Sequence, residues 1–426
     1  MRMVLFITVI FLILFGLQFL VYSTFRNFIQ TKNLNNKLRI ALTVYPFIIF
    51  NLPFLYFIIN RIFSADTPEW VSRFLFPPFY IFQSATVFIG LYLLIGKIIK
   101  SPFSLSIWIL NKFSVTKESL KKFFGSEPVK KIDSSRRAFI RTSATFVSGY
   151  AFAGATLGVL DKNDYEIENV EIKIKDLPHE LKGTTLTLIS DIHSGPYMDI
   201  NLMREYTDVI NDLKSDIIVI PGDLTNSNKL EVHPLANAFR NLKAPKGIFG
   251  SLGNHDYFSD AEYIASVVSN ETPVKLLRNN SEFININGKD LIIIGCEDTR
   301  QSNSSSDPVL MKYFNNTFNE AEIKAKEKNL DFNNLPKLVL FHKPYFFEEM
   351  NKRNPDLILS GHTHGGQVVL AKFGNLNLSF AGAVSKYISG LYEFGNSSMY
   401  VSRGIGSVGL PIRFNCKPEI TKITLI

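Results

Sequence analysis

At 426 residues the chain is long enough for an enzyme domain and something besides. Its 46% hydrophobic content, with the excess in the first 100 residues, excludes a wholly soluble composition. A formal net charge of +8 suits nucleic acid in principle, but Lys and Arg cluster beside apolar runs. That placement favours membrane topology and anionic lipid, so no nucleic-acid partner is expected. Cys296 and Cys416 fit no Cys-x-x-Cys spacing and read as small core residues, a disulfide staying open if the compartment is oxidising.

In chain order, residues 4–22 are almost wholly apolar and come close to the ~20 residues that cross a bilayer. A cleavable signal peptide is the alternative. It is weakened by the aromatic-rich end, the lack of an Ala-x-Ala site and the further spans that follow. Residues 40–59 and 74–95 read as second and third spans, Pro46 and Pro53 being tolerable beside neighbouring helices. Residues 103–113 are too short to cross and are expected at the interface, which closes a membrane region over 1–115. A basic linker at 116–141 contains Ser135-Arg136-Arg137, and an apolar run at 142–160 follows. The pair resembles a twin-arginine export signal placed internally, and equally an ordinary basic cluster ahead of a fourth span.

The positive-inside rule puts the basic loops at 26–39 and 97–141 in the cytoplasm and the weakly basic loop at 65–69 outside. The fourth run then carries the remainder, 166–426, out of the cytoplasm. If that run lies along the membrane instead, the domain stays inside.

From residue 166 the pattern changes. Short apolar runs, mostly β-branched, at 185–189, 216–220, 247–252, 291–295, 337–341 and 356–359 read as buried strands. Helices are expected near 200–213, 261–269 and 310–328, giving an α/β domain. Residues 301–307, rich in serine, read as an exposed loop. The tail, 367–426, reads as hairpins ending in a strand at 420–426.

Polar residues gather just beyond these strands: Asp191-x-His193, Gly222-Asp223, Gly253-Asn254-His255-Asp256, His342 and Gly361-His362-x-His364. The carboxyl edge of strands is where ligands bind in α/β sheets. So many carboxylates and imidazoles in one cleft are costly to desolvate unless divalent cations accept them. The donor set suits Zn, Fe or Mn, and the absence of Cys from it argues against a thiolate site. On an extended backbone Asp191 and His193 would point the same way and reach one ion. Glycines before Asp223, Asn254 and His362 allow close approach and sharp turning.

These motifs together resemble the calcineurin-like metallophosphoesterase family over about residues 184–426. The resemblance implies a four-layer α/β/β/α sandwich, here preceded by an N-terminal transmembrane helical region. It implies two divalent metal ions: Asp191, His193 and His364 on the first, Asn254, His342 and His362 on the second, and Asp223 bridging. It makes His255 the catalytic imidazole near the leaving oxygen and Asp256 the residue that orients it. Hydrolysis would be direct, by metal-activated water, with no phosphoenzyme.

The arrangement, with Ser402-Arg403-Gly404 and Pro411-Ile412-Arg413 in the tail, is similar to bacterial membrane-anchored members. That implies a multi-pass protein of the bacterial inner membrane acting on a phosphorylated small molecule or lipid. Some relatives cleave the pyrophosphate of UDP-2,3-diacylglucosamine, a substrate that fits only a cytoplasm-facing domain. Arg403 and Arg413 are candidates for a phosphate contact, since guanidinium suits bidentate pairing, with a salt bridge at the core edge as the alternative. From another class, a catalytically silent membrane receptor for a phospho-ligand is disfavoured by Asn254 and His255. A transport component is disfavoured because no charge lies inside the first three spans.

Overall fold

The apolar N-terminal runs fold as helices: α1 (Arg2–Gln30), α2 (Asn36–Ile49), α3 (Phe76–Leu110), α4 (Ser114–Gly125) and α5 (Glu127–Leu160). The computed structural model describes residues 2–56, 71–298, 308–373, 376–383 and 385–426. The end of the expected second span, the loop at 65–69 and the serine-rich loop at 301–307 lie outside the described residues. The chain divides into two units, Met1–Leu160 and Asp161–Ile426.

In the first unit four stretches are long and apolar enough to cross a membrane: Phe11–Gln30, Asn36–Tyr56, Phe76–Leu110 and Ala138–Leu160. Two boundaries differ from expectation. α3 continues without a break through Pro102 into residues 103–110, which were expected as a separate interfacial piece; the proline removes one rung of the helical ladder. α5 runs through the end of the basic linker and the fourth apolar run as one helix.

The first three apolar stretches also share a polar knot that hydropathy conceals. Asn51 Nδ2 donates to Gln18 Oε1 at 3.0 Å, and Gln83 Nε2 donates to Asn51 Oδ1 at 3.1 Å. Amides paired in this way hold helices together where no water competes.

The second unit contains two six-stranded mixed sheets. The first is built from β1 (Glu166–Ile172), β2 (Thr185–Leu188), β3 (Ile217–Pro221), β4 (Ile248–Ser251) and β5 (Val274–Leu276), with the last strand β14 (Glu419–Leu425) inserted between β1 and β2. The second contains β6 (Asn280–Ile286), β7 (Lys289–Cys296), β8 (Lys337–Phe341), β9 (Leu357–Ser360), β12 (Gly390–Phe394) and β13 (Ser397–Val401). A separate antiparallel pair, β10 (Ala371–Phe373) and β11 (Leu376–Leu378), lies between β9 and β12 in sequence.

Alternation along the strands builds the layers. Ile217 and Val219 of β3 and Leu338 and Leu340 of β8 point into a common core between the sheets. Ile218 and Ile220 face α6 (Ile200–Asp212), α7 (Val232–Phe239) and α9 (Ala261–Glu271); α8 is the short helix Asn254–Ser259. On the opposite side Val339 and Phe341 face Phe314 and Phe318 of α10 (Pro308–Glu327). The central strands are thus buried on both faces, which is why they read as unbroken apolar runs. The four-layer α/β/β/α sandwich is the observed architecture. β2, β3 and β4 run parallel, as do β8 and β9, so each sheet presents its carboxyl ends along one edge.

Candidate metal centre

β2 ends at Leu188, and the chain then follows the loop beyond β3. Asp191 N–H donates to Gly222 O at 3.2 Å, His193 N–H to Asp223 O at 3.1 Å and Ser194 N–H to Leu224 O at 3.0 Å. The backbone here is not the extended one expected from Asp191-x-His193. Asp191 (φ 50°) and His193 (φ 49°) are both left-handed, as are Asp223 (55°), His362 (71°) and His364 (51°). Non-glycine residues in that region cost roughly 1–3 kcal/mol each and persist where the surroundings impose them. Two glycines permit the crowding. A Cβ on Gly222 would lie 2.8 Å from His342 Nδ1, and one on Gly361 would collide with the Asp191 carboxylate.

The side chains form three interlocking groups of potential ligands: Asp191, His193 and His364; His193, Asp223 and His255; Asp223, His342 and His362. His193 Nε2 and His364 Nε2 stand 3.0 Å apart, with Asp191 Oδ1 at 4.0 and 3.5 Å from them. Asp223 Oδ2 lies 3.6 Å from His193 Nε2 and 3.1 Å from His342 Nε2, so it sits between two clusters. His342 Nδ1 pairs with Pro221 O at 2.7 Å, which makes it the donor and turns Nε2 toward the carboxylates. Asn254 is buried beside them, and its Oδ1 has no hydrogen-bond partner among the described residues.

Burial pushes His193 and His364 down to about 3, and it holds His362 well below the usual imidazole range, so these three rings are neutral. Burial also acts downward on His342, but the Asp223 and Asp191 carboxylates outweigh it and raise this ring well above its ordinary value. Burial acts upward on Asp223, and His342 and His193 override it to hold the carboxyl well below the carboxylate range. Neutral imidazole nitrogens facing one another, a shared carboxylate and an unsatisfied amide oxygen fit divalent cations of the Zn, Fe and Mn kind.

Three site residues have surroundings other than those expected. Asp256 does not touch the His255 ring. It occupies the third position of α8, so its carboxylate turns back to accept the Gly253 N–H at 2.9 Å, and it also takes those of Leu224 (3.0 Å) and Thr225 (2.9 Å). What meets His255 Nδ1 is Asn226 O, at 2.5 Å. Both tail arginines, expected as candidates for a phosphate contact, are engaged by protein groups. Arg403 pairs with Glu419, Glu168 and Glu166. Buried Arg413 donates to the carbonyls of Arg403 (2.9 Å) and Gly404 (3.1 Å) and comes within 3.5 Å of His364 Nδ1. The salt-bridge alternative therefore describes Arg403. Both cysteines are free and buried, Cys416 donating its S–H to His364 O at 3.2 Å.

Comparison with known proteins agrees with this geometry. The family described as Calcineurin-like phosphoesterase matches residues 184–366. A metallophosphoesterase of Aquifex aeolicus is 30% identical over 263 residues, which cover 61% of this chain and 91% of that one. The metallophosphoesterase YkuE of Bacillus subtilis is 28% identical, covering 68% of this chain and 97% of its own. A transmembrane protein with metallophosphoesterase domain from Danio rerio is 29% identical over 61% of this chain but 57% of its own length. With four helices able to cross a membrane and a family site for metal-dependent phosphoester hydrolysis, the chain belongs to the calcineurin-like metallophosphoesterases and fits their membrane-anchored subset.

Proposed function

We propose that the chain hydrolyses a phosphoester or pyrophosphate bond of a lipid or envelope metabolite at a dinuclear centre. Asp191, His193 and His364 would hold one cation, Asn254, His342 and His362 the other, and Asp223 both. The observation that carries this reading is the placing of Asp223 between the two clusters. When bound, such cations polarise phosphoryl oxygens and lower the pKa of a water toward ~7.

The chain's own residues supply the rest. The Asp191 carboxylate accepts the His362 N–H at 2.9 Å, tying the first cluster to the loop of the second. The Asp223 carboxylate accepts the His255 N–H at 2.8 Å, which ties α8 to the same centre. With Nδ1 spent on Asn226 O, His255 has Nε2 left to hold a proton and pass it to the leaving oxygen.

The lipid part of the reading rests on tethering. Only residues 161–165 separate α5 from β1, so a membrane-bound substrate would meet the site at high effective concentration. The basic segment at 97–141 favours an inner-membrane protein whose catalytic domain faces away from the cytoplasm. A second reading is favoured by the composition of the fourth stretch, which carries Gly149, Gly154 and Gly158 with several Ser and Thr and is only moderately apolar. If that stretch lies along the membrane, the domain faces the cytoplasm and UDP-2,3-diacylglucosamine becomes the better substrate.

The activity is tested by Mn-dependent release of p-nitrophenol from bis(p-nitrophenyl) phosphate by the detergent-solubilised full chain. The sidedness is tested by protease digestion of sealed inside-out vesicles. Protection of the domain supports the first reading, and digestion while a lumenal control survives supports the second.

A further inference from the structure

A carboxylate outside the ligand set organises the loop that faces His255. Glu231 Oε2 accepts three backbone N–H groups, from Asn226 (3.0 Å), Ser227 (2.7 Å) and Asn228 (2.9 Å). The capping box between Asn228 and Glu231 accounts for the third of these and leaves the other two unexplained. The Ser227 N–H and the Asn226 carbonyl belong to one planar peptide group. On its far side that carbonyl meets His255 Nδ1 at 2.5 Å. Carboxylate, peptide group and imidazole are therefore hydrogen-bonded in a row.

Glu231 is itself fixed in place. Ser194 Oγ donates to its backbone carbonyl at 2.7 Å, and its Oε1 lies where a Cβ on Gly195 would approach to 2.9 Å. The Ser194 carbonyl also accepts the Asn226 N–H at 3.1 Å, so the loop is held from two sides.

We propose that Glu231 is a positioning residue for His255, acting through the Asn226–Ser227 peptide group to hold Nδ1–H on Asn226 O and keep Nε2 turned to the leaving oxygen. A charged acceptor strengthens the bond at one end of a peptide group, and polarisation carries that to the other. The row does for His255 what a directly bonded carboxylate does for other functional histidines. The proposal rests on the reading of His255 as the leaving-group acid.

The test compares Glu231→Gln, Glu231→Asp, His255→Ala and the Glu231→Gln/His255→Ala double variant in the full-length, Mn-loaded protein. Gln keeps the shape and a carbonyl acceptor but removes the charge. Asp keeps the charge and withdraws it by a methylene. On a phosphodiester with an alkyl leaving group, Glu231→Gln is expected to lower kcat roughly 10- to 100-fold, the scale for losing an orienting partner. KM and bound Mn should not change, and the Asp variant should be intermediate. The loss should shrink on the p-nitrophenyl diester and should not add to that of His255→Ala. In ¹⁵N spectra of histidine-labelled protein with the His255 ring neutral, the wild type should show the proton kept on Nδ1 and Glu231→Gln a mixture of tautomers.

Equal losses on both esters, a fall in bound Mn, or losses that add in the double variant would overturn the proposal. If His255→Ala itself lost the same factor on both esters, the acid role of His255 would fail. The ¹⁵N spectra would then still decide the positioning: a tautomer mixture in Glu231→Gln upholds it, and an unchanged Nδ1–H signal overturns it.

Discussion

His193 and His364 point their Nε2 atoms at one another across 3.0 Å. Burial keeps both rings neutral, so each holds one proton, only one of the two can lie between the facing Nε2 atoms, and Asp191 Oδ1 stands close to each. Such an arrangement is favourable when a cation occupies the point on which the lone pairs converge.

The opposite case is His342. The nearby Asp223 and Asp191 carboxylates raise this ring against the downward pull of burial, and Nδ1–H is already given to Pro221 O. In the metal-free protein Nε2 therefore carries a proton at neutral pH, and a cation binding there must displace it. Because the folded-state pKa is raised, stability from the His342–Asp223 pair is present below the unfolded pKa and fades as pH rises through the folded one. Metal uptake should release about one proton at this site and weaken as pH falls. Calorimetric titration with Mn in buffers of different ionisation enthalpy reads this directly. Enthalpies independent of buffer would show that no proton leaves.

His255→Ala should depress kcat by roughly 10²–10⁴-fold with bound metal little changed, the usual scale for general acid help. A more acidic leaving group should recover part of the loss. Metal analysis alongside steady-state kinetics checks this, and a parallel fall in metal content would make His255 a ligand.

Asp256→Asn should act on the fold before the chemistry. The carboxylate is fully buried and accepts N–H groups from Gly253, Leu224 and Thr225, and an amide cannot accept them all. Leaving one or more buried donors unmet should cost about 1–3 kcal/mol each. Thermal unfolding reads the cost, and a wild-type Tm would contradict the assignment.

Arg403→Ala should lower stability and leave KM unchanged. It leaves Glu419, whose side chain is 2% exposed, with the Tyr400 and Thr421 hydroxyls but no cation, and breaking a buried ion pair from one side costs up to about 3–5 kcal/mol. A raised KM with an unchanged Tm would return Arg403 to the substrate.

Much of this was legible in the residues. The runs that became β2, β3, β4, β7, β8 and β9 are apolar because both faces of those strands are covered, and each ligand motif stands just after one of them. β1 and β5 carry no such mark: β1 alternates Glu with apolar residues as an edge strand does, and β5 is three residues long. The left-handed turns at Asp191 and His193 were hidden because the strand before them predicts continuation, while the actual path is set by the loop after β3. Asn226 acts through its backbone, which residue identity does not reveal. The Asn228-x-x-Glu231 spacing is a capping signal that could have drawn attention to Glu231. Gln18, Asn51 and Gln83 escaped a search of the spans for charge because they are neutral.

The central claim is a shared dinuclear centre bridged by Asp223. The most direct measurement is the Mn bound per chain in the full-length protein and in Asp223→Ala, with phosphodiester hydrolysis recorded on the same samples. The predicted result is about two Mn per active wild-type chain, and in the variant loss of turnover with reduced occupancy of both positions. An Asp223→Ala variant that keeps wild-type Mn content and near-normal turnover would contradict the account.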